Sequence, residues 1–134
     1  MHAVFTHGQF IASKDKVKKG APFDLIVADC CFHHIDDITL HKELNEVKRI
    51  LSMNGTLIMI DILFSKGDTQ FLRKLFRKSE LGAHVKLIED YQERMEQHFE
   101  ITRIDIVRSH LSLIKNNLIY NNSAFLECKV MRPS

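Results

Sequence analysis

The sequence predicts an α/β fold whose sheet is mostly parallel and carries an antiparallel hairpin at one edge. Residues 24–29 and 56–63 are continuous apolar runs, as expected of central parallel strands buried on both faces. Between these runs, apolar residues at helical spacing mark one face of a helix: Leu40, Leu44, Val47, Ile50 and Leu51. Near the carboxyl terminus, Ile101–Val107 and Ala124–Met131 are predicted as the two strands of the edge hairpin.

The remaining elements complete a predicted order of β-β-α-β-α-α-β-β. They are a strand over Ala3–Ala12, a basic loop over Ser13–Pro22, and helices over Asp68–Lys78 and Leu87–Phe99. Asn54 and Gly55 are predicted to end the first helix near Ser52, because both residues tolerate positive φ. The segment Leu111–Asn122 fits either a strand with a turn at Asn116 or part of a helix.

Composition and charge favour a single globular domain and give no sign of a nucleic-acid-binding or membrane-spanning protein. With 134 residues, 45% hydrophobic and 27% charged, the chain is predicted to form one domain over residues 1–134. A net charge of +2 is too small to indicate nucleic-acid binding. No apolar run is long enough to span a membrane, and no secretory signal is recognisable. Three cysteines, two of them adjacent, make a poor disulfide framework, so free thiols and a cytoplasmic location are predicted.

A cluster of titratable side chains follows the first buried strand, where open α/β sheets bind their ligands. Its members are Asp29, Cys30, Cys31, His33, His34, Asp36 and Asp37. A histidine titrates near neutral pH and could remove a proton from a substrate, although one histidine could equally pack while the other is exposed. Adjacent cysteines on a strand point to opposite faces and adjacent histidines converge poorly on one ion, so no metal site is predicted.

Two stretches of the chain resemble a known family. FDLIVADCCFHHI, Phe23–Ile35, is similar to the fourth strand and following loop of class I S-adenosylmethionine-dependent methyltransferases. EVKRILSMNG, Glu46–Gly55, is similar to the helix and turn that follow in that family, and the strand LIMID also fits. The resemblance runs from about Gln9 to Met131 and implies a Rossmann-like methyltransferase sheet.

The chain departs from the family in two motifs. Members carry a Gly-rich turn after their first strand and an acidic residue at the end of the second, and neither motif occurs before Phe23. The resemblance therefore implies an incomplete sheet that starts near the family's third strand, with half of the cofactor pocket missing. A truncated or fragmentary member of the family is one expectation.

The resemblance also implies a function. The cofactor would be S-adenosylmethionine and the methyl acceptor a small molecule, with Asp29, Cys30 and Phe32 bordering the cofactor and His33 or His34 acting as the base. Whether the chain catalyses by itself is left open. The alternative is a non-catalytic binding or assembly module that completes its sheet with a partner subunit or a second copy.

An unpaired strand edge is the reason to expect assembly. In the family, the strand matching Asp24–Asp29 is flanked by a first strand that this chain lacks. Its edge, and the apolar residues Leu25, Ile26 and Val27, would then be exposed and would favour self-association. The amino-terminal segment Ala3–Ala12 could cover part of that edge, which would reduce the tendency to associate.

Overall fold

A computed structural model describes residues 2–6, 22–64, 74, 84–114 and 117–131. Its elements, in chain order, are β1 (His2–Thr6), β2 (Phe23–Asp29), a 3-10 turn (Phe32–His34), α1 (Asp37–Ile50), β3 (Leu51–Phe64), β4 (Lys86–Leu87), α2 (Ile88–Glu96), β5 (Phe99–Ile114) and β6 (Asn117–Val130). None of the helices in these ranges is long and apolar enough to cross a membrane.

The strands form one six-stranded sheet in the order β1-β2-β3-β6-β5, with the short β4 pairing beside the end of β3. Strands β1, β2 and β3 are parallel neighbours. Strand β6 runs antiparallel to both β3 and β5. Three parallel strands therefore end at one edge of the sheet, and an antiparallel hairpin extends the sheet on the far side of β3.

One face of the sheet packs into the main core. Alternate residues of β2 and β3, such as Ile26, Ala28, Leu57 and Met59, are buried there. They join the apolar face of α1, which contributes Leu40, Leu44 and Val47. Tyr91 and Met95 of α2 belong to the same core. The residues between the buried positions of β3 are half-buried, so the described core is one-sided.

The prediction of a mostly parallel sheet is only partly met. The parallel ladders of β1, β2 and β4 are short, and the longest ladders are the antiparallel ones that involve β6. The reason lies in the segment that the sequence left ambiguous. Described residues on both sides of positions 115–116 are strand, so β5 and β6 continue far beyond the two short strands predicted there.

The end of the first helix also differs from the prediction. Helix α1 ends at Ile50, and Leu51 already begins β3. Asn54 and Gly55 lie instead in β3, where its register with β2 shifts. Phe23 pairs with Leu51 before this irregularity, and Leu25 pairs with Thr56 after it. Positive φ is not the reason for the glycine. A Cβ on Gly55 would lie 2.7 Å from Leu51 Cγ and 2.9 Å from the Phe23 carbonyl oxygen, so close backbone approach requires it.

The expectation of an unpaired edge on β2 is wrong. Strand β1 pairs in parallel along β2, from His2 opposite Leu25 to Thr6 opposite Asp29. The expected exposure of Ile26 is also wrong, since it is 0% exposed, while Leu25 and Val27 are half-buried. The amino-terminal segment thus fills the position beside β2 that the sequence left open.

The other predicted elements match in part. The helix expected over Leu87–Phe99 is the shorter α2, preceded by the two residues of β4. The strand expected over Ala3–Ala12 is described only as β1, and its remainder lies outside the described residues. The basic loop over residues 13–22 lies almost entirely outside them, and so does the helix expected over Asp68–Lys78, apart from Lys74.

Candidate functional site

The candidate site lies at the carboxyl edge of the parallel strands. Thr6, Asp29 and Ile60 are neighbours in register there. The chain leaves the sheet at Cys30, whose φ of 52° places a non-glycine residue in the left-handed region. Its N–H still donates to the Ile60 carbonyl over 2.8 Å, which fixes the turn to β3. Such sparsely populated backbone conformations are concentrated at functional sites.

A buried aspartate on β3 holds the turn that follows. Asp61 is 1% exposed and occupies a core-facing position of the strand. Its Oδ2 accepts the N–H groups of Phe32 at 2.8 Å and His33 at 3.2 Å. Its Oδ1 accepts the N–H of Ile62 at 2.9 Å and a bond from the ring Nδ1 of His33. One carboxylate therefore accepts the backbone N–H groups of the first turn of the loop and orients a histidine. The sequence LIMID did not indicate this role, because its other residues are apolar.

The two histidines of the loop have different environments. His33 is 5% exposed, and its Nδ1 is committed to Asp61. This contact leaves Nε2 as the ring nitrogen with a free lone pair whenever His33 is neutral. His34 is half-buried, and its ring lies 3.9 Å from the His33 ring, centre to centre. Of the two, His34 is the more accessible and His33 the more firmly held.

The predicted cofactor-bordering residues are divided between surface and core. Asp29 is half-buried and Cys30 is exposed at the end of β2. Phe32 is 0% exposed and is part of the main core. Of these three residues, Asp29 and Cys30 therefore have side chains that reach the protein surface.

The cysteines of the loop are poor nucleophiles. Burial, followed by the hydrogen bond and charge of Asp29, raises the pKa of Cys30 to about 12. Burial and the charge of Asp61 raise the pKa of Cys31 to about 12, and its Sγ donates to the Asp29 carbonyl at 3.2 Å. Neither thiol therefore has the lowered pKa that is typical of a cysteine nucleophile. Within the described ranges, no three His, Cys, Asp or Glu side chains group as metal ligands.

Helix α1 begins directly behind the loop. Asp36 caps it by accepting the Thr39 N–H at 2.7 Å. This hydrogen bond lowers the pKa of Asp36. The next residue, Asp37, accepts from Arg94 of α2 at 2.6 Å, and that bond lowers the pKa of Asp37. The loop and the two helices are thus joined by polar contacts on the protein surface.

The segment that leads into β4 is hydrogen-bonded to the loop. The His84 N–H donates to the His33 carbonyl at 3.0 Å, and Lys86 Nζ donates to the His84 carbonyl at 3.1 Å. Behind it, Tyr91 of α2 is fully buried, and burial together with the charge of Asp61 raises the pKa of its phenol well above the usual value. Tyr91 is a buried polar residue of this region that the sequence analysis did not single out.

Several solved structures that are similar in fold are named as methyltransferases. A proposed methyltransferase from Bacillus halodurans is 9% identical, with a TM-score of 0.67 over 95% of this chain and 80% of that one. An S-adenosylmethionine-dependent methyltransferase from Methanosarcina mazei is 15% identical, with a TM-score of 0.62 over 84% of this chain and 61% of that one. The arsenic(III) S-adenosylmethionine methyltransferase of Chlamydomonas reinhardtii is 15% identical, with a TM-score of 0.55 over 84% of this chain.

The likeness lies in the fold and not in the sequence. No family model and no curated protein matches this sequence. The chain spans 41% of the mitomycin 7-O-methyltransferase and 39% of the Chlamydomonas reinhardtii enzyme, so it corresponds to part of such chains. The chain therefore has the mixed α/β fold of S-adenosylmethionine-dependent methyltransferases, with its titratable cluster at the carboxyl edge of the sheet.

Proposed function

We propose that this chain takes part in S-adenosylmethionine-dependent methyl transfer to a small-molecule acceptor. The observation that carries the proposal is the loop from Asp29 to His34, which the buried Asp61 fixes at the carboxyl edge of a methyltransferase-like sheet. Ligands of open α/β sheets bind at this edge. The loop is held by three hydrogen bonds from its own first turn, so its side chains are positioned before a ligand binds.

Residues at the carboxyl edge of the sheet could hold part of S-adenosylmethionine. Asp29 and Cys30 lie at the strand end, and the loop that follows offers a half-buried histidine. The buried Phe32 supports the loop from below instead of touching a ligand. When bound, S-adenosylmethionine supplies the methyl group from its sulfonium centre. The chain's own residues would hold that ligand at Asp29 and Cys30 and orient the acceptor beside His34.

Proton removal from the acceptor is assigned to His34. Its ring is more accessible than that of His33 and lies against it. His33 acts as a positioning residue, because its own Nδ1 is bound to Asp61 and its N–H and carbonyl groups are also hydrogen-bonded. This division predicts that replacing His33 lowers stability and activity together, while replacing His34 lowers activity alone.

Isothermal titration calorimetry with S-adenosylmethionine tests the proposal on the chain as it stands. Saturable binding tighter than about millimolar, which corresponds to roughly −4 kcal/mol, is the expected result. Asp29→Asn should weaken that binding, and Asp105→Asn, an exposed carboxylate on β5, should leave it unchanged. No heat of binding up to several millimolar would refute a cofactor site in this chain.

A partner that completes the sheet is the second candidate. In the described sheet β1 has a single neighbour, so its outer edge is available for strand addition. Sedimentation equilibrium at micromolar concentration tests self-association by this route. A monomer at all concentrations would remove the second-copy version of this candidate.

A further inference from the structure

The outer edge of β5 is the strand edge farthest from β1. In the described sheet β5 stands last in the strand order, with β6 as its neighbour. The register shifts between Ile101 and Arg103 and again between Ser109 and Leu111, so the regular part of this edge runs over 103–109. The outward N–H and C=O groups of such an edge form a template on which another strand can pair.

The side chains along this edge favour a contact. Ile106 and Val107 are each 55% exposed, and as neighbours on a strand they place apolar surface on both faces of the edge. Proteins protect open edges with charged side chains, which repel a second copy when they carry one sign. Here the two charges have opposite signs: Arg103 Nε lies 2.6 Å from Asp105 Oδ2, and both side chains are exposed.

This ion pair lies on the face of β5 that points away from the main core. The Arg103 guanidinium is 5.6 Å from the ring centre of Phe125, which is the register partner of Asp105 on β6. Ile104 points to the opposite face, where it packs against the main core. The edge thus presents an apolar residue between two opposite charges.

Symmetry decides how two such edges can pair. In an antiparallel pair of identical strands, a two-fold axis passes between them, and residues that face each other lie on the same face of the sheet. With Arg103 or Asp105 on the axis, like charges would face each other, and with Ile106 there, Asp105 would face the partner's Val107. With Ile104 on the axis, Arg103 faces the partner's Asp105 and Asp105 faces the partner's Arg103. Directly opposite Cβ atoms are about 4.5–5.5 Å apart, which allows both ion pairs.

We infer that two copies of this chain pair antiparallel through the outer edges of β5, with Ile104 on the two-fold axis and the charges of Arg103 and Asp105 alternating around it. Backbone hydrogen bonds supply the affinity, and the alternating charges fix the register. Because the regular stretch is short, the contact is weak, with an expected Kd of about 10–100 μM and a monomer at about 1 μM. This contact is distinct from strand addition at β1 and does not depend on methyl transfer.

Sedimentation equilibrium over a range of concentrations tests the contact. The chain should form dimers as its concentration approaches about 500 μM, well above the expected Kd. Arg103→Asp places carboxylates opposite each other across the axis and should weaken the dimer about tenfold or more. Arg49→Asp is the matched control, because Arg49 is an exposed arginine of α1 with its own local ion pair to Glu46. A monomer at all these concentrations, or equal effects of the two substitutions, would overturn the inference.

A mixture of two variants separates the contact between copies from the ion pair within one chain. Asp105→Arg should also prevent dimers, and both variants lose the internal pair of Arg103 with Asp105. In a mixed dimer, each acidic side chain of one variant faces a basic side chain of the other. An equimolar mixture should therefore associate about as tightly as the unsubstituted chain. Two variants that are folded by circular dichroism and do not associate when mixed would contradict the proposed register.

Amide chemical shifts of the unsubstituted chain locate the contact without any substitution. Raising the protein concentration should shift the backbone amides of residues 103–107, which lie at the paired edge. The amides of β1 should not shift. Concentration-dependent shifts at β1 instead of β5, or none at all, would refute a dimer through β5.

Discussion

Replacing Asp61 with asparagine tests the contact that organises the site. The substitution keeps the shape of the side chain but removes its charge and one acceptor oxygen. In the better orientation, the remaining oxygen still accepts from Phe32 and His33 N–H, and the new amide group faces His33 Nδ1 and the Ile62 N–H. The ring of His33 can adapt by exchanging its proton between nitrogens, but the Ile62 N–H cannot.

The magnitude follows from these contacts. An orphaned buried N–H costs about 1–3 kcal/mol. The two retained bonds lose their charge assistance, at about 1 kcal/mol each, since bonds to charged groups contribute more than neutral ones. Asp61→Asn should therefore lower the free energy of unfolding by about 3–5 kcal/mol, which is a large share of the stability of a domain of this size.

Urea unfolding at pH 7 measures this loss, with Asp105→Asn as the matched control. Asp105 is 44% exposed in its side chain and forms an ion pair with Arg103 on the same strand, so its substitution should change stability by less than about 1 kcal/mol. Backbone amide exchange should also increase at Phe32 and His33 in Asp61→Asn. A loss no larger than that of the control would refute the assignment of Asp61 as the anchor of the loop.

Three further changes have defined outcomes. Gly55→Ala should lower the unfolding free energy by about 1–3 kcal/mol in urea, because the new Cβ would lie 2.7 Å from Leu51 Cγ; an unchanged midpoint would contradict this. Burial and the nearby His41 lower the pKa of His98, so the unfolded chain binds a proton at this residue more readily than the folded chain does. The free energy of unfolding should therefore fall as the pH drops below about 6.5. His98→Gln should flatten that decline between pH 7 and 5. His34→Gln should reduce the rate of methyl transfer at least tenfold, whether the chain acts alone or with a partner, and should leave the melting temperature unchanged. A lower melting temperature together with the lower rate would show that His34 has a structural role.

The sequence was sufficient for the β-α-β unit but not for the sheet around it. Strand β2 and helix α1 were predicted because a continuous apolar run and helical spacing are local signals. The pairing of β2 with β1 was considered only as partial cover by the segment Ala3–Ala12, because it joins residues more than 20 positions apart and leaves no local pattern. The extension of β5 and β6 was left open, because a run such as LSLIKNNLIY fits a strand with a turn and a helix equally well.

The candidate site shows the same division. The cluster from Asp29 to His34 was visible because titratable residues directly follow a buried strand. Asp61 was not singled out, because an aspartate near the end of an apolar strand carries no signal of its burial or of its partners 28 and 29 residues earlier.

Mapping the binding of S-adenosylhomocysteine onto the backbone amides tests the central claim most directly. The demethylated cofactor product cannot react, so the measurement reports binding alone. We expect saturable amide shifts from Asp29 to Asp36 and at the end of β3, with little change along β5. We also expect Asp61→Asn to abolish these shifts and Asp105→Asn to retain them. Saturable shifts confined to β5 and β6, or no shifts up to several millimolar, would contradict a methyltransferase site at this edge of the sheet.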